Sequence, residues 1–227
     1  MAFDLTLLGF SALSYPVLVE LAAEAWRRDA ATLRVQVVHN LPMPEGLELP
    51  EGWGDPVPTP LENWSPGSDD GVIMPGVMHE PAVSTVVRLV SATTGIEWAQ
   101  LGTIIHPTAA VAPSASIGPG TWIHAQTTVA SMSRLGPCCH INRNASVGHH
   151  NTWGAFSRLN PGAHTGGLCQ LGERVTIGIG AAVRQEIHIG DGATVGGGSM
   201  VIRNVEPGQV VVGNPAKPLV AKVSQGN

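Results

Sequence analysis

The sequence predicts a mainly β protein, a left-handed parallel β-helix preceded by a small α/β unit, and three observations carry that prediction. First, an aliphatic side chain returns every six residues from Ile105, through Val111, Ile117 and Ile123, as far as Val195 and Val201. Seventeen positions keep one phase without insertion, and only Trp153 and Thr165 among them are not aliphatic. Second, the residue two places earlier is usually small, as at Ala109, Thr121, Cys139, Ala145, Ala163 and Cys169. Third, glycine often follows the in-phase residue, as at Gly118, Gly136, Gly148, Gly166 and Gly178. A period of six fits neither a helix nor plain strand alternation. It is the period of a solenoid in which short strands alternate with turns. Three units close one triangular coil of 18 residues, with the aliphatic pointing inward. The run makes about five and a half coils, roughly 27 Å of prism at the spacing of neighbouring strands.

The elements before the prism follow from local pattern. Leu5 to Leu8 reads as a short buried strand ending at Gly9. Pro16 to Asp29 reads as a helix: proline suits a first helical turn, and Val17, Leu18, Leu21, Ala25 and Trp26 form an apolar stripe. Leu33 to Val38 is a second strand, which completes a β-α-β opening of the kind found in Rossmann-like parallel sheets. Residues 41–68 are rich in proline and read as loop. Val72 to Met74 is a further strand, and Pro81 to Thr93 a second helix. The expected division is residues 1–95 for the α/β unit, 103–204 for the prism and 205–227 for a tail. A repeat stack needs a cap at each end, and the α/β unit and the tail are expected to cover one end each.

Composition narrows the function classes. Net charge is −5 and no Lys/Arg cluster occurs, which argues against a nucleic-acid partner. Three cysteines form no C-x-x-C pair and no disulfide framework; Cys139 and Cys169 fall on the small inward position and read as core. The amino terminus, Met1-Ala2-Phe3-Asp4, has no basic flank and no long apolar run, so a cytoplasmic protein without membrane contact is expected. Among the nine histidines, His106 and His124 lie one coil apart, and Asn142 and Asn160 continue their column, the pattern of a stacked polar ladder on one face. No two prism histidines are five residues apart, the spacing of a β-helix zinc site, so no metal is expected. Trp153 reads either as a core or interface filler or as a wall of an acyl pocket.

Four stretches carry a resemblance to a known family: Thr103-Ile104-Ile105-His106-Pro107-Thr108-Ala109, Ala145-Ser146-Val147-Gly148-His149, Gly196-Gly197-Gly198-Ser199 and Val212-Gly213-Asn214-Pro215-Ala216-Lys217. The chain resembles the hexapeptide-repeat acyltransferases. Within them it is similar to the sugar O-/N-acetyltransferases, which include sialic-acid O-acetyltransferase-like proteins and enzymes that N-acetylate nucleotide-linked 4-amino sugars. The resemblance implies a homotrimer with acetyl-CoA in a groove between adjacent prisms. It also implies an amino-terminal unit that binds a sugar or nucleotide-sugar acceptor.

The resemblance places the general base at His149, in the Gly148-His149 motif. The chemistry suits an imidazole, which can take the proton of an attacking amine or hydroxyl near neutral pH. The same resemblance places the backbone donor for the thioester oxygen at Gly167. Spacing agrees independently: Gly167 follows His149 by 18 residues, one coil, and should stack beside it. Arg158 and Lys217 are candidate contacts for CoA phosphates, and Gly9, Ser11, Tyr15 and Gly76 are candidate acceptor contacts. The chain departs from the family pattern at three places. His150 stands where a carboxylate commonly follows the base. Phe10 and Leu13 fill the first β-α turn, which is usually glycine-rich. Met74-Pro75-Gly76-Val77-Met78-His79 replaces an Ile-Gly-Asn-Asn-like run. The expected activity is acetyl transfer from acetyl-CoA to an amino or hydroxyl group of a sugar. The alternatives are a non-catalytic trimeric scaffold or binding protein, and transfer to a non-sugar acceptor.

Overall fold

The computed structural model describes residues 2–11, 14–39, 51, 53, 56–67, 69–78 and 81–219. The amino-terminal part holds strands β1 (Leu5–Leu8), β2 (Val35–His39), β3 (Val57–Pro60) and β4 (Val72–Pro75), with helices α1 (Ser14–Trp26) and α2 (Ala82–Thr94). The four strands form one parallel sheet in the order β3-β2-β1-β4. Strand alternation divides its core in two. Leu5, Leu7, Val35, Val37 and Met74 pack with Leu18, Val19 and Ala22 of α1. Leu8, Val38 and Ile73 pack with Val83, Val87 and Val90 of α2. Gly95, left-handed at φ 75°, ends α2, and its N–H donates to Ser91 C=O.

The sheet differs from the sequence reading at β3, which lies in a stretch expected to be loop. Among the described residues Val57-Pro58-Thr59-Pro60 pairs on one side only, with β2, so the missing proline N–H groups leave no ladder unfilled. The remainder of the expected loop over residues 41–50 lies outside the described residues, as do Leu13 and His79.

The prism follows the hexapeptide phase throughout. Seventeen two-residue strands run from β5 (Ile104–Ile105) to β21 (Met200–Val201), and the second residue of each is the in-phase position. They stack in parallel at an offset of 18 residues, so that Ser146 pairs with His164 and Val147 with Thr165. The inward side chains form one continuous core from Ile123 to Val211. Where the residue two places earlier is polar, it bonds to the backbone of the next coil. Thr127, Ser133 and Ser157 donate to Asn142, Gly148 and Gly172 C=O at 3.1, 2.6 and 2.7 Å, each fifteen residues on. Cys139 and Cys169 thiols donate to Gly154 and Arg184 C=O in the same manner. Burial holds the Cys139 thiol protonated, with its pKa pushed up to about 12.

The amino-terminal part docks on the flank of the prism, not on its end. Ile104 and Trp122 join the α1 core, and Cys138, Ala155 and Phe156 join the α2 core. Trp122 Nε1 donates to Pro75 C=O at 3.2 Å across this contact. The inward residues of the first coil, Ile105, Val111 and Ile117, are only half-buried. At the other end the tail does close the stack: β22 (Val210–Val212) pairs with Thr194 and Val195, and β23 (Lys217–Pro218) folds back on it. Among the described residues no helix is long and apolar enough to cross a membrane.

His106, His124, Asn142 and Asn160 follow one another coil by coil in the expected column, and the two imidazoles bond sideways from it. His106 Nδ1 accepts from Thr108 N–H at 3.0 Å, so its Nε2 carries the hydrogen and donates to Glu24 of α1 at 2.7 Å. His124 Nε2 meets His140 Nε2 at 2.6 Å. Burial, reinforced by Arg143 and His106, lowers the His124 pKa to about 4. The folded protein therefore refuses a proton that the unfolded chain accepts near pH 6.5. Stability is unaffected above that pH and falls as pH drops from about 6.5 to about 4, by on the order of 3 kcal/mol. Urea midpoints at pH 7.5 and pH 4.5 test this: His124→Asn should flatten the difference, and an undiminished difference would remove His124 as its source.

Candidate active site

His149 and His150 lie on the turn between the strands Ser146–Val147 and Thr152–Trp153. His150 occupies the left-handed region at φ 55°, in line with Met132, Leu168 and Glu186 one coil before, one after and two after. This column forms one edge of the prism, and both imidazoles on it are exposed. The turn is tied to its neighbours by backbone bonds: His150 N–H donates to Ser131 C=O at 2.9 Å, and Leu168 N–H to His149 C=O at 2.8 Å.

Gly167 lies directly beside the His149 ring. A Cβ at position 167 would stand 2.5 Å from Cε1 and Nε2 of His149 and 3.0 Å from Cδ2. Only glycine admits the ring in this place. Gly167 itself is not left-handed; that conformation falls on Leu168, at φ 62°. Among the described residues no backbone carbonyl accepts from the Gly167 N–H. The other ring nitrogen of His149, Nδ1, meets Nδ1 of His150 at 3.1 Å, with the rings nearly perpendicular. One of the two must donate and the other accept. His150 therefore lies against the His149 ring, as the residue next in sequence to it.

The turn is also held from within the prism. Asn151 is fully buried; the two hydrogens of its Nδ2 go to Gly148 C=O and Gly166 C=O, each at 2.8 Å, and His149 C=O at 3.3 Å shares one of them. Its Oδ1 accepts from Trp153 Nε1 at 3.2 Å. Thr165 Oγ1 accepts from Gly148 N–H at 3.3 Å. The two breaks in the aliphatic series, Trp153 and Thr165, thus both bond toward the same turn. Trp153 is core, 3% exposed, and not the wall of an open pocket. Sequence reasoning missed Asn151, although it is the one asparagine at the small inward position, two places before the one tryptophan in the series.

The other sequence-selected residues divide into groups. Gly9 and Gly76 are neighbours at the carboxyl ends of β1 and β4: Gly76 N–H donates to Leu8 C=O at 2.8 Å, and a Cβ on Gly76 would collide with Gly9 C=O. Ser11 lies just beyond, and its C=O receives the N–H groups of Ser14 and Tyr15 at the start of α1. Tyr15 turns into the core, 1% exposed and 5.8 Å from the Phe10 ring, where a first-turn aromatic packs against the sheet. Arg158 is buried on the flank that carries the amino-terminal part, where its guanidinium donates to Asn160 Oδ1 at 2.8 Å. Arg158 keeps 8% of its surface exposed, where it lines a small pocket with Pro75, Val77, Trp122 and His140. Lys217 is exposed beside a cleft of about 280 Å³ that Arg203, Glu206 and Gln209 also line. Among the described residues no three His, Cys, Asp or Glu side chains converge as a metal site.

No protein-family model matches the chain, and no curated protein matches it in sequence. Solved structures do. The acetyltransferase domain of PglB from Neisseria gonorrhoeae FA1090 is 30% identical, with a TM-score of 0.78 over 95% of this chain and 98% of that one. The same domain in complex with acetyl coenzyme A gives 28% identity and a TM-score of 0.77, over 96% and 100% of the two chains. A perosamine N-acetyltransferase variant from Caulobacter crescentus, in complex with CoA and GDP-perosamine, shares the fold at 24% identity and a TM-score of 0.75, over 96% of each chain.

Proposed function

From the premise that this chain belongs to the hexapeptide-repeat sugar acetyltransferases, we propose that it moves the acetyl group of acetyl-CoA to an amino or hydroxyl group of a sugar, with His149 as general base. The observation that carries the reading is the His149 ring seated against Gly167 of the next coil, with the Gly167 N–H not taken by any described backbone carbonyl.

The steps follow from these groups. His149 Nδ1–H donates to His150 Nδ1, which leaves Nε2 with its lone pair toward the reacting centre. The acceptor nitrogen or oxygen attacks the thioester carbonyl carbon and gives its proton to Nε2. The carbonyl oxygen becomes an oxyanion, and the Gly167 N–H donates to it. Collapse breaks the carbon–sulfur bond, and the CoA thiolate leaves with the proton held by His149. No acyl-enzyme forms. Lys217 lies at the carboxyl-terminal cleft as a phosphate contact for the cosubstrate.

The acceptor is placed over Gly9, Ser11 and Gly76. In an open parallel sheet ligands bind beyond the carboxyl ends of the strands where the strand order reverses, here between β1 and β4. Gly9 and Gly76 adjoin at that point, where the lack of side chains lets the two strand ends pack closely, and Ser11 lies just beyond them. The protein works as a cytoplasmic homotrimer, with cosubstrate between adjacent prisms. Calorimetric titration with acetyl-CoA should give one saturable site per chain. A screen of amino-sugar nucleotides, free sugars and other amines for CoA release then identifies the acceptor. Absence of binding at millimolar acetyl-CoA would overturn the assignment.

A further inference from the structure

We propose that Asn151 is a positioning residue for the reaction: from inside the prism it orients the peptide that carries the oxyanion donor and the turn that carries the base. The inference rests on the acyl-transfer reading given above. Its basis is the identity of the three carbonyls that Asn151 holds. Gly166 C=O belongs to the peptide whose other end is the Gly167 N–H, and Gly148 C=O to the peptide whose other end is His149 N–H. A peptide unit is planar and trans, so fixing the direction of its C=O fixes the direction of its N–H. A carbonyl that accepts a hydrogen bond also polarises the unit and strengthens the N–H as a donor.

The carboxamide has one usable orientation. Three of its neighbours are carbonyls, which take only N–H, and the fourth is the Trp153 indole, which offers only N–H. Trp153 therefore prevents the amide from turning over. It also explains why a tryptophan interrupts the aliphatic series at this coil: a buried indole needs an acceptor, and Asn151 Oδ1 supplies one. At several other coils the same inward position carries a hydroxyl or thiol that reaches one carbonyl fifteen residues on, as Ser133 and Ser157 do. At Asn151 that single bond is kept, to Gly166, and two more are added to the turn of the base. Thr165 completes the frame from the other side by accepting the Gly148 N–H.

The experiment compares Asn151→Ala, Asn151→Ser and Ser157→Ala in steady-state kinetics of CoA release. Ser157→Ala removes the equivalent bond to Gly172, away from the reacting groups, and controls for prism stability. Asn151→Ala should lower kcat by about 10- to 100-fold with KM for acetyl-CoA within about twofold, as expected when reacting groups lose alignment. Asn151→Ser keeps a donor for Gly166 and should recover most of that loss, whereas Ser157→Ala should match the parent. A folded Asn151→Ala protein with parental kcat would overturn the proposal, and so would a loss confined to KM or an equal loss in Ser157→Ala. If Asn151→Ala does not fold, Asn151→Ser decides: turnover near the parent supports the role, and a fall as deep as that of His149→Ala removes it. If the parent itself releases no CoA with any acceptor, the acyl-transfer reading fails on its own. The Gly167 amide resonance of glycine-labelled protein then tests the orientation. It should move in Asn151→Ala and stay in Ser157→Ala, and an unmoved resonance would overturn the proposal.

Discussion

Replacing His149 with alanine should lower kcat by about 10²- to 10⁴-fold, the contribution of a positioned general base. Acetyl-CoA affinity and the stability of the prism should stay near those of the parent. His149 is exposed on a corner, and its ring takes no part in the inward core. What the substitution removes is a proton acceptor and one half of the Nδ1–Nδ1 contact with His150. The loss should therefore appear in kcat, with calorimetric binding of acetyl-CoA retained at one site per chain. A variant that turns over at the parental rate would show that the base lies elsewhere. His150→Glu offers a companion measurement, since it restores the carboxylate that the family carries at this place and should keep the base oriented.

Gly167→Ala should cost about 100-fold in kcat, as expected for a displacement of about 1 Å at the reacting groups. The added methyl would stand 2.5 Å from two atoms of the His149 ring, so the ring must swing away. The backbone has no reason to object, because the left-handed residue of this turn is Leu168 and not Gly167. Urea midpoints should thus change little while turnover collapses. The cause is separable by a double-mutant cycle. If the methyl acts by moving His149, then Gly167→Ala added to His149→Ala should cost far less than it does alone. Full additivity would instead assign its effect to blocking the thioester oxygen.

The solenoid was legible because its information is periodic. Each in-phase residue from Ile105 to Val201 sits as the second residue of a strand, as a six-residue period requires when every strand presents one side chain to the axis. An uninterrupted 18-residue coil also turns sequence separation into contact, which is why His149 and Gly167 could be paired before any coordinates. The departures from periodicity were visible as well, at Trp153 and Thr165. Their meaning was not, because a hydrogen bond from an indole to Asn151 Oδ1 leaves no mark in spacing.

The amino-terminal part was read less completely, and for a physical reason. Strand β3 carries two prolines in four residues, which its place at the edge of the described sheet, paired with β2, makes tolerable. Local sequence does not say which strand will be an edge. The burial of Arg158 and Tyr15 likewise depends on what covers them. In the first case that is a flank contact between residues as distant as Pro75 and Trp122. The sequence by itself determined the prism, its phase and the stacking of His149 beside Gly167, since all three follow from a repeat that each coil enforces on the next. Only the tertiary structure decided where the α/β unit docks, which charged groups it buries and what holds the His149 turn from within, since those depend on contacts that no period encodes.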